Sequence, residues 1–162
     1  MSIKTTIIMA LFSFTSLFAN AQRLTAKQID KAERITYWFN NGTVAPEHQQ
    51  TVTYSVTADS ITQKVAGHDG TTIKTLAVSE ADQQLFREQL KKQDIKCLKK
   101  SAPNLCTGGH DIGLGLYADS TTLFYASAYV GGGRMGGKLA CNEMDVCHCF
   151  EQLFKSCKGE EE

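Results

Sequence analysis

The chain of 162 residues has no excess of charge of either sign, since 17 Lys and Arg face 17 Asp and Glu. A chain so balanced has no global field to hold nucleic acid or an anionic membrane, and a polyphosphate would need a local patch. Past residue 21 it also lacks any apolar run near the roughly 20 residues that span a bilayer. Cysteine is sparse: six residues are about 4% of the chain after the first 21, below the roughly 8–10% of scaffolds held mainly by disulfides. The bridges expected of them therefore supplement a hydrophobic core. With 42% hydrophobic residues, such a core is within reach of one domain and disorder is excluded.

Residues 1–21 stand apart. Lys4 precedes an apolar stretch over 7–18, and Ala19-Asn20-Ala21 closes it in the small-x-small pattern of a secretory signal peptide. About a dozen apolar residues is too few for a membrane anchor, and no cysteine before Cys97 offers a site for lipid attachment. The reading is a cleaved leader, one soluble domain over 22–158 in the periplasm or outside the cell, and an acidic tail over 159–162. Cleavage removes Lys4 and no acid, leaving a net charge of −1. Thiols oxidise in that compartment, and an even number of cysteines suits complete pairing.

Thr25 and Gln28 form a capping box, with Leu24 and Ile29 as its hydrophobic staple, and predict a helix to about Asn40. Period-two alternation predicts strands near 51–57, 61–66 and 71–78. Ser79 and Asp82 open a second helix, with Leu85, Phe86 and Leu90 facing inward and Glu88 pairing with Lys92, and it stops near Asp94. A loop holds Cys97, Pro103 and Cys106. Strands near 112–117 and 123–130 follow, a glycine-rich link over 131–137, a short segment over 138–141, and a helix from Asn142 to near Cys157. The fold class expected is α+β, a mainly antiparallel sheet of about five to six strands with helices packed on one face, disulfide-bonded.

In the second hairpin, Ile112, Leu114 and Leu116 share a core face with Phe124, Ala126, Ala128 and Val130. The other face then presents Tyr117, Tyr125, Ser127 and Tyr129 beside Gly113 and Gly115. Such a surface suits a protein loop or a sugar ring, or else the tyrosines cover the glycines within the sheet. The echo of Ala58-Asp59-Ser60-x-Thr62 at Ala118-Asp119-Ser120-x-Thr122 is explained by shared turn chemistry as well as by duplication. Cys147, Cys149 and Cys157 diverge along and around the last helix, so each must pair with one of Cys97, Cys106 and Cys141.

Residues 132–138 match G-x-x-x-x-G-K, but Leu139 stands where a phosphate-binding loop needs Ser or Thr, so a connecting loop is the better reading. There Arg134 and Lys138 would meet a partner's carboxylates, with Met135 adding apolar contact. His68-Asp69 and His110-Asp111 invite an acid/base or metal reading, although Asp69-Gly70 is a favoured turn. Cys106 beside His110 would be a nucleophile only as a free thiol. Cys147-His148-Cys149 scatters around a helix and makes no metal site. No cofactor is implied. The leading expectation is a non-enzymatic protein-binding domain, an inhibitor or immunity-type protein acting on a toxin or cell-envelope hydrolase, with a glycan as another ligand. The alternatives are a small hydrolase or metal-dependent enzyme using His68, His110 and Asp111, and an accessory component of a surface assembly.

Overall fold

A computed structural model describes residues 21–159 apart from Thr43, 103–107 and Gly133. Residues 1–20, expected as a leader, Cys106 and residues 160–162 therefore lie outside the described residues. Strand β1 is Ala21–Arg23, so cleavage after Ala21 would leave it Gln22 and Arg23.

The architecture turns on residues 34–40, expected as helix and found as strand. The capping box forms, with Thr25 accepting from Gln28 N and Gln28 from Thr25 N, but helix α1 is only Ala26–Lys31. Ala32 then takes an extended conformation (φ −69°, ψ 124°). Arg87 holds this exit by donating to the carbonyls of Ile29 and Ala32, the latter at 2.8 Å. Strand β2, Arg34–Asn40, follows with Ile35, Tyr37 and Phe39 on one face and Thr36 and Trp38 on the other. Ile29, Ala32, Thr36 and Phe39 do recur at helical spacing, but a run of β-branched and aromatic residues favours a pleated surface.

The remaining elements are β3 (Gln50–Val56), β4 (Ser60–Gly67), β5 (Gly70–Ala77), α2 (Glu80–Lys91), β6 (Lys96–Ala102), β7 (His110–Ala118), β8 (Thr121–Gly131), β9 (Arg134–Ala140) and α3 (Glu143–Lys158). They form a single antiparallel sheet of nine strands in the order β1-β6-β9-β8-β7-β2-β3-β4-β5. The expectation of five to six strands is thus corrected. The strands beyond that expectation are β1, β2 and β6, the last of these standing where a loop around Cys97 is expected, while β9 extends the short 138–141 segment back through Arg134–Gly137 of the glycine link. Glycines leave few side chains to alternate, and β6 is mostly polar, so neither displayed a period of two.

The face carrying Ile35, Tyr37, Tyr54, Val56, Ile61, Ile112, Leu114, Leu116, Phe124 and Leu139 forms one core with the buried residues of all three helices. Phe150 of α3 lies at its centre, stacked on Tyr37 at 5.4 Å and edge-on to Phe86 of α2 at 5.0 Å. In α2, Phe86 and Leu90 are buried as expected, whereas Leu85 is exposed and Glu88 pairs with Lys91, three residues on, not with Lys92. Among the described residues no helix is long and apolar enough to cross a membrane.

The disulfide-bonded fold is also corrected: Cys97, Cys141, Cys147, Cys149 and Cys157 are free thiols. Cys149 is buried and donates to the Asp145 carbonyl one turn back at 3.2 Å. Cys97 is directed across the sheet to the Tyr125 carbonyl at 3.8 Å. Each thiol occupies its own place in or beside the core, and apolar packing supplies the cohesion expected from bridges.

Candidate functional site

Two surfaces combine reactive or binding side chains. The first is the face of the sheet turned away from the helices. The register Ile112↔Ala128, Leu114↔Ala126 and Leu116↔Phe124 sets the intervening residues outward, with Gly113 opposite Ser127, Gly115 opposite Tyr125 and Asp111 opposite Tyr129. Tyr117, Tyr125 and Tyr129 therefore share one face, and Trp38 of β2 joins them beside Gly113. A Cβ on Gly113 would fall 2.2 Å from the indole nitrogen of Trp38, and one on Gly115 would fall 2.4 Å from the Tyr117 hydroxyl. Both rings thus rest on glycine backbone, which removes rotamer freedom before any ligand arrives. The Arg34 guanidinium lies over the Tyr117 ring at 4.8 Å. Tyr125 is the most open of the four rings, 52% exposed.

Arg134 and Lys138 are exposed on β9 and alternate onto this same face, since Gly136 between them pairs with Tyr129. Met135 does not belong with them. It pairs with Val130 and packs against the core, because one residue along a strand reverses the face. With Arg34 and Lys64 added, the central part of this face holds, among the described residues, four cations against the single carboxylate Asp111. Arg23 and Lys96, nearer the β1 edge, are both paired with Asp94.

The second surface, which the sequence did not reveal, is a cleft of about 820 Å³ between the first turns of α3 and strands β2, β3, β4 and β7. Tyr37, Phe39, Val52 and Tyr54 form its apolar wall, and Glu143, Met144, Asp145, Cys147, His148 and Glu151 line it from α3. His110 bridges the two sides, packing on Phe39 at 5.0 Å between ring centres and bonding through Nε2 to Oε1 of Glu143. Gln63 donates to the Tyr54 hydroxyl at 2.8 Å. The Tyr37 hydroxyl is buried, with the Cys147 thiol as its hydrogen-bonding neighbour.

Burial pushes the Cys147 thiol up to about 11, helped by Glu151, and the Cys141 thiol up to about 12, helped by Glu143. Burial also raises Tyr37, with Cys147 and Glu143 adding to the effect. A thiol held protonated is a poor nucleophile.

The residues of the enzymatic alternative do not meet. His110 faces the cleft, Asp111 beside it points to the opposite face, and His68 is exposed next to the β4–β5 turn. Among the described residues no group of three or more His, Cys, Asp or Glu side chains is placed to hold a metal ion. No protein-family model, no curated protein and no solved structure matches the chain.

Proposed function

We propose that this chain is a secreted or periplasmic recognition domain that docks its open sheet face onto an acidic protein surface, as an inhibitor or immunity-type protein of a toxin or envelope hydrolase. The observation that carries this reading is the pair of aromatic rings seated on Gly113 and Gly115 with exposed cations around them. Rigid aromatic area, flanked by Arg and Lys, is what concentrates binding energy at protein interfaces. The cations supply steering toward carboxylates and reject other cationic surfaces. The leader over residues 1–21 accounts for the compartment.

The test is capture from the envelope fraction of the producing cells with the mature chain as bait, followed by cross-linking to locate the contact. Cross-links at β7, β8 and β9 onto an acidic patch of the captured protein are expected. Tyr125→Ser with Tyr129→Ser should abolish capture while circular dichroism stays native, and Arg134→Glu with Lys138→Glu should weaken it and remove its salt dependence. Undiminished capture by both double variants, or retention on insoluble glycan in place of protein, would refute this reading.

A further inference from the structure

The two edges of the sheet are built differently. At one end β1 has three residues, with Arg23 paired to Asp94. Behind it, β6 breaks its register with β9 between Cys97 and Ala102 and carries Lys96, Lys99 and Lys100. Short length, charge and irregular pairing are the usual means of keeping an edge from joining another strand. At the other end β5 has none of them. Its eight residues, Gly-Thr-Thr-Ile-Lys-Thr-Leu-Ala, contain no proline and pair with β4 without a break from Gly70 to Ala77. Among the described residues no strand lies beyond it.

The direction of its main-chain groups follows from one bond. Val78 N donates to the Asp59 carbonyl at 2.9 Å, and these two residues continue the register of β4 with β5. Alternation from there turns the N–H and C=O groups of Thr72, Lys74 and Leu76 toward β4, and those of Thr71, Ile73, Thr75 and Ala77 outward. The outward set is uncharged and mostly β-branched, which suits a further strand. Lys74, the single charge of the strand, is turned to the helix side with its ammonium 6.0 Å from the centre of the Phe154 ring. Ile73, 62% exposed, stands on the open face opposite Lys64.

We infer that β5 pairs antiparallel with β5 of a second copy of this chain, about a twofold axis at Ile73. Reversal about that residue sets Ile73 against Ile73, Thr71 against Thr75 and Lys74 against Thr72. Both exposed isoleucines gain an apolar neighbour, and outward main-chain groups meet outward groups. The other twofold register of similar overlap, centred on Lys74, would oppose like charges. The edge is thus complementary to itself, and that favours a second copy over a foreign strand. The assembly closes at two, because the outer edges are then the short and charged ones.

Sedimentation equilibrium of the full mature chain should show a monomer–dimer equilibrium, half dimeric between about 1 and 100 µM, as befits a small interface. Thr75→Pro removes an outward N–H and spares the bonds to β4, so it should abolish the dimer while circular dichroism stays native. Ile73→Lys should weaken the dimer about tenfold, and less at high salt. Thr72→Glu should tighten it at least about twofold, since only the register centred on Ile73 sets residue 72 against Lys74 of the other copy. Amide protons of Thr71, Ile73 and Thr75 should exchange fast in dilute solution and slow as concentration rises, whereas those of Thr72 and Lys74 stay slow throughout. Tyr125→Ser with Tyr129→Ser should leave the dimer unchanged, so that this edge and the docking face fail separately. A monomer at about 1 mM, a dimer indifferent to Thr75→Pro and Ile73→Lys, or β5 amides protected only by a captured foreign protein overturns the inference.

Discussion

The two faces of the one sheet solve opposite problems with the same strands. Toward the helices, β2 and β7 present Ile35, Tyr37, Ile112, Leu114 and Leu116, which are almost completely buried. Away from them, the same strands present Trp38, Gly113, Gly115 and Tyr117, where rings lie on bare backbone in place of a second layer. Charge divides likewise. Among the described residues, four cations and one carboxylate occupy the central open face, while the cleft on the helix side has three carboxylates and no Lys or Arg. A net charge of zero therefore conceals two surfaces of opposite sign.

The comparison breaks most severely at the centre of the helix side. Phe150→Ala removes the ring that joins Tyr37, Tyr54 and Phe86, and should cost about 3–5 kcal/mol in urea unfolding. Next in size, Gly113→Ala puts a methyl group where the indole now lies and should cost about 1–3 kcal/mol. Because Trp38 is the only tryptophan, its emission should shift to the red in the folded state of this variant. An unshifted spectrum would mean that the ring is not held by the glycine.

The helix side should also be the more sensitive to alkali. The Cys147 and Cys141 thiols titrate higher in the folded chain than the ordinary thiol value, so the folded state retains protons that the unfolded state gives up. Their contribution is whole below about pH 9 and is lost as pH rises toward 11 and 12. The unfolding midpoint should fall over that interval, and less steeply in Cys147→Ala. The smallest effect belongs to the open face. Tyr125→Ser should change stability by no more than about 0.5 kcal/mol, as for an exposed position without structural partners, and a larger loss would show that the face is held together by its rings.

Parts of this arrangement were legible in the residues themselves. The β7–β8 register followed from alternation, because a slip by one residue would have exposed Leu114 and buried Tyr125. The capping residues of α2 were equally plain, since Ser79 accepts from Asp82 N as its spacing implies. Residues 29–39 misled because they satisfy both periods at once. The run Ile35-Thr36-Tyr37-Trp38-Phe39 was the signal that should have decided for a strand, and with it Trp38 would have joined the tyrosines. The cleft had no such signal: His110 and Glu143 are 33 residues apart, and neither is unusual in its local sequence.

The sequence by itself determined which residues could alternate, where helices start and that no field of one sign surrounds the whole chain, since these depend on neighbours within a few positions. The tertiary structure alone decided that β2 would lie between β3 and β7, that the five described cysteines would remain free thiols in or beside the core, and that His110 would meet Glu143. Those outcomes depend on which distant segments share a face, and burial, which is not local, sets that choice.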